Sequence, residues 1–447
     1  MRKVNLVPLI VFSVLVSACG GGGSGSSNPK PVSTSSSSPK SSSLASSSLV
    51  ASSLASSSSS LVSSSLASSS SSSVYSADVE HLRDLATFPI GVAVSNNDAP
   101  AYNILTNASE KAVAEKHFNQ MTAGNIMKVS YLHPSLNTFS FANADAFVDY
   151  ANTQDMTIHG HALIWHSGYQ VPNFMKTWSG TSDEFLTMLE THVNTIVTHF
   201  ASKSNVVSWD VVNEALTDDT PSNFRSTYVN NQGQTEIDSP FYVNSGSEIY
   251  IEKAFLAARA ANATVDLYYN DYNIDQNNAK TTKLIEMITD FQARDIPITG
   301  VAFQMHVFMD FPTIANIKAA MQKVVDKGLK VKITELDVSV NNPFSNWPAS
   351  KVSTFTETVA LKQKKRYCEI IQAYKEVLAD KEELQGGITV WGTTDANSWL
   401  DGTNGLFKTQ FNGEKIAWPL LFDEQYNDKP ALRGFADGLL GTACTNL

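Results

Sequence analysis

At 447 residues the chain is long enough for one large barrel or two ordinary domains. A net charge of −11 argues against nucleic acid or anionic lipid as a partner and is compatible with a neutral polysaccharide. Three cysteines, with no CxxC and no Cys/His cluster, make a thiolate metal site an unsuitable reading.

Residues 1–19 have a basic start at Arg2 and Lys3, an apolar core from Leu6 to Val16, and small residues before Cys19. The apolar run is too short to span a bilayer and a polar stretch follows, so we expect an export signal. Leu15-Val16-Ser17-Ala18-Cys19 resembles the lipobox of bacterial lipoproteins, which implies that Cys19 is acylated and becomes the mature N-terminus. An ordinary signal peptide containing a Cys is the alternative. Gly20 stands where an inner-membrane retention signal would show Asp, so the expected location is exported and lipid-anchored at the outer membrane or cell surface. Residues 20–76 are Gly, then Pro and Lys, then Ser broken by Leu, Ala and Val. Such a stretch cannot bury enough apolar surface to offset its ordering entropy, and we expect a disordered Ser-rich tether. As a flexible coil it would reach roughly 40 Å.

Residues 77–447 have no second low-complexity break and fit the size of a single (β/α)8 TIM barrel with insertions, an α/β fold. Short β-branched runs alternate with helical patterns, as βα units require. Strands are expected at 89–94, 125–129, 157–165, 206–212, 265–270, 299–305, 331–336 and 387–391. Helices are expected at 109–121, 183–200, 248–261, 278–293, 313–327 and 356–380, the second capped near Ser182. Residues 217–247, rich in Asn, Gly, Ser and Asp, read as a long loop on the working face. With Cys19 set aside, Cys368 and Cys444 remain, which fits either one disulfide tying the C-terminus to a late helix or two buried thiols.

In a parallel barrel the C-terminal ends of the strands form the working face. Trp209-Asp210-Val211-Val212-Asn213-Glu214 is an apolar strand that stops at Asn213 and Glu214; alone, such a Glu is more often a cap than a catalyst. A second run, Lys330 to Val338, delivers Glu335 and Asp337 in the same way. Two facing carboxylates are what glycosidic hydrolysis needs, one to protonate the leaving oxygen and one to attack or to activate water. Strand three brings His159 and His161, with His166 at its exit; two His at i, i+2 fit a zinc site, but no acidic or Cys ligand stands close in sequence, and hydrogen bonding to sugar hydroxyls or a carboxylate is the better reading. Strand six ends in Gln304-Met305-His306. A His beside a nucleophilic carboxylate stabilises its charged form, and Asp337 could fix the tautomer of His306. Strand eight ends in Trp391 and, after a polar loop, Trp399, whose indoles could cover a sugar or fill a core.

These residues resemble glycoside hydrolase family 10, the retaining endo-β-1,4-xylanases. The matching segments, in the family's order, are G-H-A-L-I-W-H-S (160–167), W-D-V-V-N-E-A-L (209–216), Y-N-D-Y-N (269–273), F-Q-M-H (303–306), I-T-E-L-D-V (333–338), W-G-T-T-D-A-N-S-W (391–399) and P-L-L-F-D (419–423). The resemblance implies Glu214 as acid/base and Glu335 as nucleophile, with His306, Asp337 and Gln304 orienting the nucleophile. It implies that Asn213 serves the sugar 2-hydroxyl, that Asn125, Lys128, His161, Trp165, His166 and Gln170 line the glycone side, and that Tyr272, Trp391 and Trp399 also meet substrate. It implies xylan as substrate, no cofactor and no metal; we also expect a monomer that touches membrane only through its lipid anchor. Two departures stand out. The family's usual E-N-x-M-K-W reads Gly124-Asn125-Ile126-Met127-Lys128-Val129, without the Glu and the Trp, and Ser167-Gly168-Tyr169-Gln170-Val171-Pro172 is two residues longer than the usual S-Q-x-P. They leave decorated xylan, aryl glycosides, short oligosaccharides or glucan open as substrates; a non-catalytic polysaccharide-binding lipoprotein would require loss of a carboxylate, and both are present.

Overall fold

The computed structural model describes residues 79–344, 349–400 and 413–445. Cys19, the expected signal and the expected Ser-rich tether lie outside the described residues. Eight strands form the barrel: β1 Ile90–Val94, β2 Gln120–Ala123, β3 Thr157–Gly160, β4 Val206–Asn213, β5 Asp266–Asp271, β6 Gly300–Phe303, β7 Lys330–Ser339 and β8 Gln385–Val390. Each pairs in parallel with the next, and β8 pairs with β1, where Ile388 stands opposite Ile90, so the sheet closes. Two short extensions prolong the mouth: Ile164–Trp165 beside β4, with Trp165 opposite Asn213, and His306–Phe308 beside β7, with His306 opposite Asp337.

The main helices are α1 Ala108–His117, α2 Ala142–Thr153, α3 Ser182–Phe200, α4 Ile249–Ala261, α5 Ala279–Ala293, α6 Ile314–Val325, α7 Glu357–Val377 and α8 Pro430–Leu440. Helix α3 shows why they form. Phe185, Leu189, Val193 and Ile196 recur at helical spacing and are fully buried, and the first turn is closed by a reciprocal cap between Thr181 and Glu184. The cap is Thr181, one residue before the expected Ser182. Trp209 of β4 points outward into this helix layer, packing on Phe200 with ring centroids 5.8 Å apart. Its strand neighbour must then be small, since a Cβ on Gly160 would lie 2.2 Å from the indole. Strand alternation sends Ser208 and Asp210 to the barrel interior.

At the far end of the ring, α8 closes on α7 so tightly that a Cβ on Gly434 would come within 2.0 Å of the Lys364 carbonyl oxygen. Cys368 and Cys444 are disulfide-bonded and fasten the segment after α8 to α7. Of the two alternatives for these cysteines, the structure has the disulfide.

Four expectations are corrected. The second strand is Gln120–Ala123, not 125–129, and α1 stops at His117, not at 121. Ile126, Met127 and Val129 mimic a strand because they are buried, but they lie in a loop and the turn of helix Val129–Leu132. The sixth strand stops at Phe303, and Met305 has a φ of 61° before the chain resumes at His306. The stretch 217–247 carries a hairpin, Thr227–Val229 with Thr235–Ile237, and a helix, Pro240–Ser245, too short for a periodicity to show.

Candidate active site

The C-terminal ends of β4 to β7 bring Glu214 and Glu335 to one mouth, and a run of side-chain amides joins them. The Glu335 Oε1 accepts from Asn270 Nδ2 at 2.8 Å, and the same NH2 donates to Asn213 Oδ1 at 3.0 Å. Gln304 Nε2 donates to Asn213 Oδ1 at 3.1 Å and to Glu214 Oε1 at 2.9 Å. Thr334 completes the set by donating to Asn270 Oδ1 at 2.7 Å. Asn270 therefore bridges β4, β5 and β7, and Gln304 reaches across to β4. Here the structure corrects the expectation for Gln304, whose side chain holds Glu214; only its backbone oxygen meets Glu335, accepting from the Glu335 N–H.

Glu335 is held by charge. His306 lies between two carboxylates, with Nδ1 2.8 Å from Asp337 Oδ2 and Nε2 3.2 Å from Glu335 Oε2. Burial alone would discharge this imidazole, but the Asp337 charge and hydrogen bond, aided by Glu335, outweigh it and raise its pKa to about 10. The ring is thus an imidazolium that donates from both nitrogens. Burial likewise pushes the Glu335 carboxyl up, yet the His306 bond, the charges of His161 and His306, and the Asn270 bond together leave it below its ordinary value. Trp399 donates its indole N–H to Asp337 Oδ2 at 2.8 Å, which sets its ring 4.7 Å from that of His306. Trp391 stands edge-on to His161 at 5.4 Å.

Glu214 is held by neutral donors and by its backbone. Oε2 accepts from Trp165 Nε1 at 2.9 Å, and Oε1 accepts from Gln304 and from Asn213 Nδ2 at 3.2 Å. Its φ is 58°, in the left-handed region where a side chain costs about 1–3 kcal/mol. Neighbouring groups meet that cost: the Glu214 N–H donates to the Asn270 oxygen at 2.9 Å, and the Glu214 oxygen accepts from Arg225 Nε at 3.0 Å.

On one flank, Lys128 Nζ lies 4.7 Å over the Trp165 ring and donates to Asn125 Oδ1 at 3.2 Å. Burial lowers its pKa to about 8 against the pull of Glu335, Glu214 and Asp98. Gln170 spends its amide on Ser130 and Asn125, so it acts by holding Asn125. Tyr169, in the two-residue extension, is 73% exposed and packs edge-on against Trp165 at 5.5 Å. Gly124 faces open space, with only the Val94 oxygen, at 3.4 Å, near a Cβ placed there. Val129 is fully buried in the core, so the family's missing Trp opens no room through that residue.

The opposite flank is a charged network absent from the sequence reading. Arg225 donates to Asp238 Oδ2 at 3.2 Å and to the Tyr272 hydroxyl at 2.6 Å, and Lys280 lies 3.6 Å over the Tyr272 ring while contacting Asp271 at 2.8 Å. His166, expected on the glycone side with Lys128, joins this flank instead, 3.9 Å from Asp238; burial, Arg225 and Lys280 keep it neutral. Arg225 lies in the aperiodic stretch, which carries no signal for it, whereas Asn270 belongs to the Y-N-D-Y-N motif. Beneath the mouth, Asp210 Oδ2 lies 2.9 Å from His161 Nδ1 and 3.0 Å from His159 Nε2. Among the described residues no group of three or more His, Cys, Asp or Glu is placed to share a metal ion.

Comparisons agree with this geometry. The Glycosyl hydrolase family 10 profile matches residues 81–438. The chain is 62% identical over 376 residues to endo-beta-1,4-xylanase Xyn10C of Cellvibrio japonicus, covering 83% of this chain and 60% of that protein. It is 43% identical over 368 residues to endo-1,4-beta-xylanase A of Cellvibrio japonicus, covering 80% and 56%. The chain thus spans somewhat over half the length of these relatives. The solved structure of native xylanase10C from Cellvibrio japonicus superposes with a TM-score of 0.79 at 61% identity, covering 84% of this chain and 76% of the other. A mutant of that enzyme in complex with xylopentaose gives 0.79 at 62%, covering 83% and 71%. From its closed parallel barrel, its paired strand-end carboxylates and its sequence, this chain belongs to glycosyl hydrolase family 10.

Proposed function

We propose that the chain hydrolyses internal β-1,4-xylosidic bonds of xylan with retention of anomeric configuration. The observation that carries this reading is the division of labour between two carboxylates at one mouth, Glu335 bonded to an imidazolium and Glu214 to an indole and two amides. In the first step Glu335 attacks the anomeric carbon, the C–O bond breaks, and Glu214 gives its proton to the leaving oxygen. In the second step Glu214 takes a proton from water, which attacks the same carbon and frees Glu335. Asn270 and His306 hold the nucleophile's two oxygens, while Trp391 and Trp399 offer ring faces to the sugar. The names of the relatives support xylan as the polymer.

Gly124 favours a second reading within the same chemistry, a shifted preference among decorated xylans, short oligosaccharides or other glycosides. Losing a charged partner for a sugar hydroxyl weakens a subsite by about 1.5–3 kcal/mol, so affinity would have to come from elsewhere along the chain. We also propose, from the sequence alone, an exported monomer anchored through acylated Cys19 and a Ser-rich tether. The test is a product profile on plain xylan, arabinoxylan, glucuronoxylan and mixed-linkage glucan, with the anomer of the first product read by NMR. We expect β-product from xylan; faster cleavage of the glucan than of every xylan, or α-product, would overturn the assignment.

A further inference from the structure

The left-handed turn at Glu214 depends on groups that the hydrolytic mechanism does not use. The next amide, Ala215 N–H, donates to the Tyr269 hydroxyl at 3.0 Å. That hydroxyl has one proton, and it donates it to Asp271 Oδ2 at 2.6 Å. The phenol therefore turns a lone pair toward Ala215 because Asp271 takes its hydrogen. Asp271 is fixed in turn by Lys280 at 2.8 Å and by the Tyr272 N–H, which donates to Oδ1 at 2.9 Å. Tyr269 and Asp271 are both fully buried. Burial, reinforced by Glu214 and opposed by Lys280, raises the Asp271 pKa to about 6, so this charge is held at a cost. A phenylalanine at 269 would fill the same volume without it, which implies that the hydroxyl serves a purpose beyond packing.

We propose that Tyr269 and Asp271 are positioning residues for acid/base catalysis: the phenol, oriented by the buried carboxylate, pins Ala215 N–H and so locks Glu214 in the backbone turn that aims its carboxyl at the leaving oxygen. The proposal rests on the reading of Glu214 as the acid/base. Arg225 holds the other side of the same turn, its Nε on the Glu214 oxygen and its backbone N–H on the Ala215 oxygen at 2.8 Å. The carboxyl is thus gripped through both flanking peptide groups. A loosened turn leaves Glu335 and its imidazolium in place and misdirects only the proton donor.

Proton donation matters when the leaving group is a sugar alkoxide and matters little when it is a stabilised phenolate. The experiment compares kcat/KM on xylotetraose with kcat/KM on 2,4-dinitrophenyl β-xylobioside for wild type, Glu214→Ala, Tyr269→Phe and Asp271→Asn, each checked by near-UV circular dichroism at the assay temperature. We expect Tyr269→Phe to lower the oligosaccharide-to-aryl ratio about 10-fold or more, and Asp271→Asn to lower it in the same direction. Equal losses on both substrates, or no loss on either, would overturn the proposal, because a purely structural role weakens both reactions alike. If Tyr269→Phe does not fold, Asp271→Asn decides by the same ratio. A Glu214→Ala enzyme with an unchanged ratio would instead sink the acid/base reading itself; a changed ratio there with unchanged ratios in the other two variants sinks only the positioning role.

Discussion

The two carboxylates stand on strands three steps apart around the barrel, β4 and β7, and are held in opposite ways. Glu335 sits within β7, where the register against β8 shifts between Ile333 and Leu336, and takes its state from its surroundings: an imidazolium, itself charged by Asp337, donates to one oxygen and an amide to the other. Glu214 has neutral groups on its carboxyl and is constrained from behind, through a left-handed backbone gripped by Arg225. A nucleophile must be kept ionised and a proton donor must be aimed; charge does the first, and backbone geometry does the second.

The largest effect that separates the two regions should follow from Glu335→Gln. It removes the attacking group, and hydrolysis of both xylan and aryl xylobiosides is expected to fall by about 10⁴-fold or more, measured as steady-state release of reducing sugar or phenolate. A substantial rate on either substrate would break the contrast. Next comes His306→Asn. Glu335 must be ionised to attack, and its pKa is low because the His306 bond and charge, together with His161 and Asn270, outweigh burial. Without that cation, burial is less opposed and the carboxyl pKa rises, so the acidic limb of kcat/KM should move to higher pH. A limb that stays or moves down would show that charge is not what holds Glu335. The smallest effect sharpens the division between the amides: Asn270→Ala and Gln304→Ala should each cost about 10- to 100-fold, as expected for one hydrogen bond to a charged group. The Asn270 loss should be similar for sugar and phenolate leaving groups, whereas the Gln304 loss should be larger on xylan.

The sequence shows the nucleophile region better than the other, for a physical reason. Glu335 and Asp337 lie on one run of β-branched residues, so strand periodicity puts both on one face, while His306, past the break at Met305, opens the extension that pairs with β7 opposite Asp337. The fold class follows from the same alternation. Gln304 misleads because a side chain of its length spans to β4, and no spacing along one strand reveals which neighbour it meets. Arg225 and the hairpin behind it are unreadable, since a loop that organises itself by side-chain bonds leaves no period in its sequence. Near the second strand, Ile126, Met127 and Val129 are buried as strand residues would be, so their apolar run imitates a strand although the true one is Gln120–Ala123.

Helix α7 lies on the outside of the barrel, but its side chains reach the mouth. Gln363 donates to the Val338 and Trp418 oxygens at 2.8 and 2.7 Å, Tyr367 to the Pro419 oxygen at 2.6 Å, and Arg366 Nε to the Phe308 oxygen at 3.1 Å. These carbonyls flank the strand that carries Glu335 and the extension that carries His306. The Cys368–Cys444 disulfide joins the last described residues to that same helix. Removing Cys444, on the outside of the barrel, would therefore slacken the helix that spaces the walls of the cleft.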